Sequence, residues 1–244
     1  MHSRLTTRRL ATVAVAGAAT LAVLAPVASA ADAHQDARPV AAQAAAKLPA
    51  KLTVNGYLAY LKSQKTPEAR TALKGFAALP AAKKAKFVSY LQDAKVYGAL
   101  HKELGGPFNV LGRNVQSYNA DVKFVHTVTS KKNVKEQKGS ASVAYTVTET
   151  IYGIPVTSEK LSLSYSFKGT QAVPRTGRAA AKVTNVNAAV AIKGGPVKIG
   201  IKGIARADVT WKAVPKVAAF GKAVNKDQAV KGQPKTWGAS ILNG

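Results

Sequence analysis

The chain has 244 residues, with 36 Lys and Arg against 11 Asp and Glu and a formal net charge of +25. It contains no cysteine, which excludes disulfides, cysteine-zinc sites, iron–sulfur clusters and thiol nucleophiles together. Hydrophobic residues make up 47%, so a core held by burial alone is within reach of a chain this long.

Residues 1–30 read as a bacterial-type secretory signal peptide. Arg4, Arg8 and Arg9 form a positive start, residues 11–24 an apolar run, and Ala28-Ser29-Ala30 a small-residue cleavage site, with an alternative cut after Ala33. The apolar run falls short of the about 20 residues that span a bilayer. Arg8-Arg9 resembles a twin-arginine signal, but Ala11 and Thr12 stand where that signal has bulky apolar residues, which favours the general route. The expectation is a secreted, extracellular protein whose mature chain has no membrane span. Residues 31–50, rich in Ala with scattered Asp, Gln, Arg and Pro, read as a flexible leader.

Over residues 51–106 the apolar spacing is helical. Val54, Tyr57, Leu58 and Leu61 recur at i, i+3, i+4 and i+7. Thr66-Pro67-Glu68 supplies an N-cap, a first-turn proline and an early carboxylate for a segment carrying Leu73 and Phe76. Pro80 opens a third segment with Phe87, Tyr90 and Leu91 on one side. Asp93 caps a fourth, with Val96, Tyr97, Leu100 and Leu104 inward, and Gly105-Gly106-Pro107 ends the run. Helices so short need a surface to pack on.

From residue 107 the period changes to two. Val122, Phe124, His126 and Val128 share one parity over residues 119–128, and residues 131–139 read as a polar, basic loop. Val143, Tyr145, Val147 and Ile151 alternate with Thr146, Thr148 and Thr150, then Leu161, Leu163, Tyr165 and Phe167 alternate with Ser162, Ser164 and Ser166. This pattern describes strands with one buried and one wet face. A loop Gly153-Ile154-Pro155 would place Val147 opposite Leu161, Tyr145 opposite Leu163 and Glu149 opposite Glu159. A second hairpin is expected to turn at Gly194-Gly195, setting Val186, Ala188, Val190 and Ile192 against Val197, Ile199 and Ile201. Residues 170–182 read as the loop between the hairpins. Ala207, Val209 and Trp211 mark a further strand, Val217, Phe220, Ala223 and Val224 a C-terminal helix, and Trp237, Ala239 and Ile241 a closing strand. The predicted fold is α+β: a short-helix unit packed on a curled antiparallel β-sheet of five or six strands, a meander of hairpins over residues 107–244.

The candidate chemistry is sparse. Glu149 and Glu159, if opposed, form a carboxylate pair of the kind glycosidases use. His126 sits on the apolar parity of its strand, where a lone histidine is a core residue before it is a catalyst. His34 lies in the leader, and His101 beside Glu103 reads as helix surface. No histidine pair has metal spacing, and no G-x-S-x-G or phosphate-cradling glycine loop occurs, so no cofactor is expected. The densest basic cluster is Lys131, Lys132, Lys135 and Lys138; on the second hairpin Lys198 and Lys202 share the wet side with Asn185 and Asn187. These residues point to non-catalytic association with anionic extracellular polymers: cell envelope, polysaccharide or nucleic acid without sequence preference. The alternatives are a hydrolase working through Glu149 and Glu159, and a protease inhibitor or other interaction module presenting the arginine loop over residues 171–178, with Arg175 as its bait.

Overall fold

A computed structural model describes residues 47–244 apart from Leu100, His101, Pro234 and Gly244. The signal peptide, nearly all of the leader, His34, Leu100 and His101 therefore lie outside the described residues.

Four short helices come first: α1 (Val54–Ser63), α2 (Pro67–Ala78), α3 (Ala81–Leu91) and α4 (Ala94–Gly98). The side chains of Thr53, Thr66 and Asp93 accept hydrogen bonds from backbone N–H groups of the first turns, and Pro67 opens α2. The helical spacing turns inward as expected. Tyr57, Phe76 and Phe87 are buried and meet ring to ring, with centroids 4.9 to 5.6 Å apart. These side chains join one core with those of the strands, which supplies the burial that such short helices need. Among the described residues no helix is long and apolar enough to cross a membrane.

The remainder forms antiparallel sheets of six strands each. In the first, β2 (Gly112–Ser117), β3 (Val122–Lys135), β4 (Lys138–Ile151) and β5 (Ile154–Lys168) follow one another as a meander. The far edge of β5 is shared, end to end, by β6 (Gln171–Ala172) and β7 (Arg178–Asn185). The second has the order β1 (Lys102–Pro107), β12 (Thr236–Asn243), β11 (Val224–Gly232), β10 (Ile204–Pro215). The far edge of β10 is likewise shared by β8 (Val190–Gly194) and β9 (Lys198–Lys202). The α+β class and the antiparallel sheet of six strands match the sequence reading, which expected one such sheet where the structure has two.

The alternation of β4 is strict, each odd position from Ala141 to Ile151 being buried. The inner faces are joined by specific bonds. Trp211 Nε1 donates to Gln228 Oε1 at 2.8 Å, and Gln228 Nε2 donates to the Tyr145 carbonyl at 3.1 Å, linking β10, β11 and β4. Tyr165 of β5 lies over Gly232 of β11, where an added Cβ would fall 2.4 Å from the ring; only glycine allows that approach.

Four local expectations are corrected. Leu104 and Gly105-Gly106-Pro107 do not close a helix but run along β12 as β1. Residues 131–139 are not a loop: β3 and β4 continue as a ladder to Lys135 opposite Lys138, turning at Glu136, whose φ is 59°. Those side chains are nearly all exposed, so no apolar alternation reports the strand. Gly194-Gly195 is not a turn, because β8 and β9 each pair with β10 and not with one another. The C-terminal helix is a single 3-10 turn, Ala218–Phe220, which buries Phe220 and stops at Gly221, φ 82°, before β11.

Candidate functional site

The acids come first because their register decides what they can do. Tyr152 and Gly153, at φ 51° and 76°, make a two-residue turn, and a bulge follows at Glu149/Thr150. Glu149 therefore stands opposite Thr157 and Val147 opposite Glu159; the predicted confrontation of the two glutamates does not occur. They remain diagonal neighbours on the inner face, 3% and 1% exposed. Thr157 Oγ1 donates to Glu149 Oε2 at 3.2 Å. Tyr97 from α4 donates its hydroxyl to Glu159 Oε1, and Lys226 from β11 brings Nζ to 2.9 Å from Glu159 Oε2. The same ammonium sits 3.5 Å from the centroid of the Tyr97 ring.

Burial pushes the Glu149 carboxyl up to about 7, against the pull of Lys226 and the Thr157 bond and with a further push from Glu159. A carboxyl poised near neutrality is what a general acid needs. Yet both carboxyl groups are enclosed, Glu159 held by Lys226 and Tyr97 and Glu149 by Thr157, where the sequence reading had them face each other near a projecting tip. Burial also drives the Tyr97 and Tyr57 hydroxyls well above the usual phenol range.

His126 is fully buried, its Nδ1 2.7 Å from the Tyr145 hydroxyl. Burial lowers it to about 4, with Lys102 acting in the same direction, so it stays neutral at physiological pH. Asp121 is engaged elsewhere, paired with Lys86 at 2.6 Å and accepting from Tyr90 and Tyr152. Among the described residues no three metal-ligating side chains come together.

The basic residues divide. Asn185 and Asn187 build the connection from β7 to β8: Asn185 Nδ2 donates to the Val190 carbonyl and Asn185 Oδ1 accepts from the Asn187 N–H. Asn187, 2% exposed, accepts from the Ala189 N–H and donates to the Leu91 carbonyl of α3. Neither shares a wet face with Lys198 and Lys202, which belong to β9 on the other sheet. Lys132 has inward parity, with Nζ 4.9 Å from the centroid of the Phe167 ring. Lys131, Lys135 and Lys138 face outward.

Those three open onto a surface that the alternation implies but that only the register assembles. On the outer face of the first sheet, one cross-strand row runs Arg113, Thr127, Thr146, Lys160, Lys182. Another runs Lys131, Ser142, Ser164, Arg178. A third, at the end, brings Lys135, Lys138 and Lys168 abreast. Among the described residues no outward strand position of this sheet carries an acid; Glu68 of α2 stands at the far end beside Thr148 and Thr184. A shallow groove of about 370 Å³ between the strands is lined by Lys131, Ser140, Ser142, Ser164, Ser166 and Arg178. The arginine loop supplies Arg175 to the surface at φ 63°, in a turn closed by Thr176 on the Val173 carbonyl. That is not the extended form in which a peptide adds to another protein's strand.

The two sheets and the hydroxyl face define a cationic antiparallel α+β protein. Comparison of the chain with known protein families, curated proteins and solved structures returns no match.

Proposed function

We propose that this is an exported, non-catalytic protein that holds anionic extracellular polymers on the outer face of its first sheet. The observation that carries the reading is like charge placed face to face: Lys160 opposite Lys182, and Lys138 between Lys135 and Lys168. Like charges directly opposed across strands destabilise a sheet, and no outward strand position of this sheet offsets them. A bound polyanion does. Strands about 4.8 Å apart place Lys131 and Arg178 on the order of 14 Å from one another, with a floor of serine hydroxyls between them. Lysine point charges suit carboxylate, sulfate or phosphate without selecting a sequence. The hydroxyls both donate and accept, as sugar and phosphate oxygens require. Counterion release then gives affinity that falls steeply with salt.

The test is retention on immobilised heparin and on purified cell wall, compared for two charge-matched variants. Lys160→Glu/Lys182→Glu alters the proposed face; Lys193→Glu/Lys212→Glu alters an opposed lysine pair on the other sheet. The first should elute at clearly lower salt and reduce the slope of log affinity against log salt by roughly two, the second much less. Equal loss in both, or wild-type retention that survives roughly 0.5 M salt, ends the proposal.

A further inference from the structure

The groove between Lys131 and Arg178 is built from two adjacent cross-strand rows of different character. The first runs Lys131, Ser142, Ser164, Arg178. Two hydroxyls therefore lie between two cations whose strands set them on the order of 14 Å apart. The second row runs Asn133, Ser140, Ser166 and carries no charge. Thr176 closes its far end, where its hydroxyl accepts from the Ser166 N–H and donates to the Val173 carbonyl. Among the described residues the side chains of Ser140, Ser142, Ser164, Ser166 and Asn133 have no hydrogen-bond partner in the protein. Other hydroxyls of the same face are engaged: Ser162 donates to the Ala180 carbonyl, Thr150 donates to the Lys123 carbonyl, and Thr148 and Ser158 bond one another.

We infer that this groove takes an anionic glycan in which charged sugars alternate with uncharged ones. The inference rests on the polymer-binding reading of the same face and narrows it to one class of polymer. Lys131 and Arg178 answer two separated anions. The serines between them answer neutral hydroxyls, since each serine hydroxyl both donates and accepts, as does the Asn133 amide. A polymer charged at every unit fits this floor badly. Extended polyglutamate carries a carboxylate about every 3.4 Å, so the charges between its two anchored ends lie over serines with no cation beside them. Single-stranded nucleic acid is held by stacking its bases on aromatic side chains. Among the described residues no outward strand position of this sheet carries an aromatic ring.

The test compares affinity, at one low salt concentration, for hyaluronan and for polyglutamate. Hyaluronan alternates uronate sugars with neutral N-acetyl sugars; polyglutamate has neither sugars nor uncharged units. Ser142→Ala/Ser164→Ala removes two hydroxyls and no charge. It should weaken hyaluronan binding about tenfold, the effect of losing two hydrogen bonds of ordinary net strength, and leave polyglutamate binding unchanged. Unchanged hyaluronan binding overturns the glycan assignment, and so does an equal loss for both polymers. A second measurement needs no variant. Wild-type chain bound to hyaluronan should be displaced by hyaluronan fragments at a lower concentration of anionic groups than by polyglutamate; the reverse order overturns the assignment. Wild type that binds polyglutamate but not hyaluronan also overturns it and leaves the cationic face as a polyanion site. Wild type that binds neither overturns both readings.

Discussion

Lys226 Nζ and Glu159 Oε2 lie 2.9 Å apart with side chains only 1% and 2% exposed, so the ion pair that spans the two sheets has no water to lean on. Each charge in such a pair is tolerable only because of the other. Lys226→Met leaves Glu159 enclosed with Tyr97 alone and should cost about 3–5 kcal/mol. Lys226→Met/Glu159→Leu should recover most of that loss. Urea unfolding of the two single variants and the double variant measures the coupling directly. A Lys226→Met protein within about 1 kcal/mol of wild type would show that the pair does not brace the sheets.

Glu149 predicts an unusual alkaline limb. Its carboxyl is held at about 7 in the fold against about 4.3 in an unfolded chain, so between those values the folded state keeps a proton that the unfolded state has lost. Stability from this group is complete below the lower value and is lost as pH rises through about 7. Glu149→Gln should match wild type near pH 4 and exceed it by about 3 kcal/mol above pH 8. It should leave heparin retention and its salt slope unchanged, since the residue is buried away from the proposed face. Turnover of a glycan by wild type that vanishes in this variant would instead favour the hydrolase.

His126 predicts the opposite limb. With its ring lowered to about 4 in the fold and near 6.5 unfolded, its contribution is complete above the higher value and is lost as pH falls through about 4. His126→Phe should flatten the acid side of a melting-temperature profile. It should also impose a pH-independent loss of about 1 kcal/mol, because the Tyr145 hydroxyl loses its partner.

Asn187 separates structure from binding. Its side chain ties the end of α3 to the start of β8 through the Leu91 carbonyl and the Ala189 N–H. Asn187→Ala should cost about 1–3 kcal/mol, the range for a buried bond left half made. Retention on heparin should stay as in wild type; a retention defect without a stability defect would return Asn187 to the binding surface.

The sequence made some of this legible and concealed the rest for definite reasons. Period-two alternation is local, so the buried and wet sides of β3, β4 and β5 could be read from Val122, Tyr145 and Leu161 without any neighbour. Register is not local. Loops centred on Gly153 or on Ile154 both preserve side-chain parity, and the backbone chose a two-residue turn with a bulge, which moved Glu159 one pair away from Glu149. Lys226 was hidden twice over: it follows directly on Val217, Phe220, Ala223 and Val224, which fall at helical intervals, and a lysine on the buried side of a strand contradicts the expected pattern. The alternation of Lys226, Gln228 and Val230 with Asn225, Asp227 and Ala229 was the available signal. The hydroxyl face was present in the sequence as Ser and Thr at every second position, but the cationic rows arise only when residues as distant as Arg113 and Lys182 are drawn into one row across the sheet.

The divided edge of β10 has a consequence of its own. A single long strand running from Val190 to Lys202 would offer an uninterrupted ladder of peptide groups on which another molecule could stack, the first step toward a fibril. Pro196 has no N–H to give, and exposed Lys193 and Lys198 flank the gap, so a stranger approaching this border finds two short ledges guarded by charge. For a chain without disulfides to lock it, that interruption guards the folded molecule against its own copies.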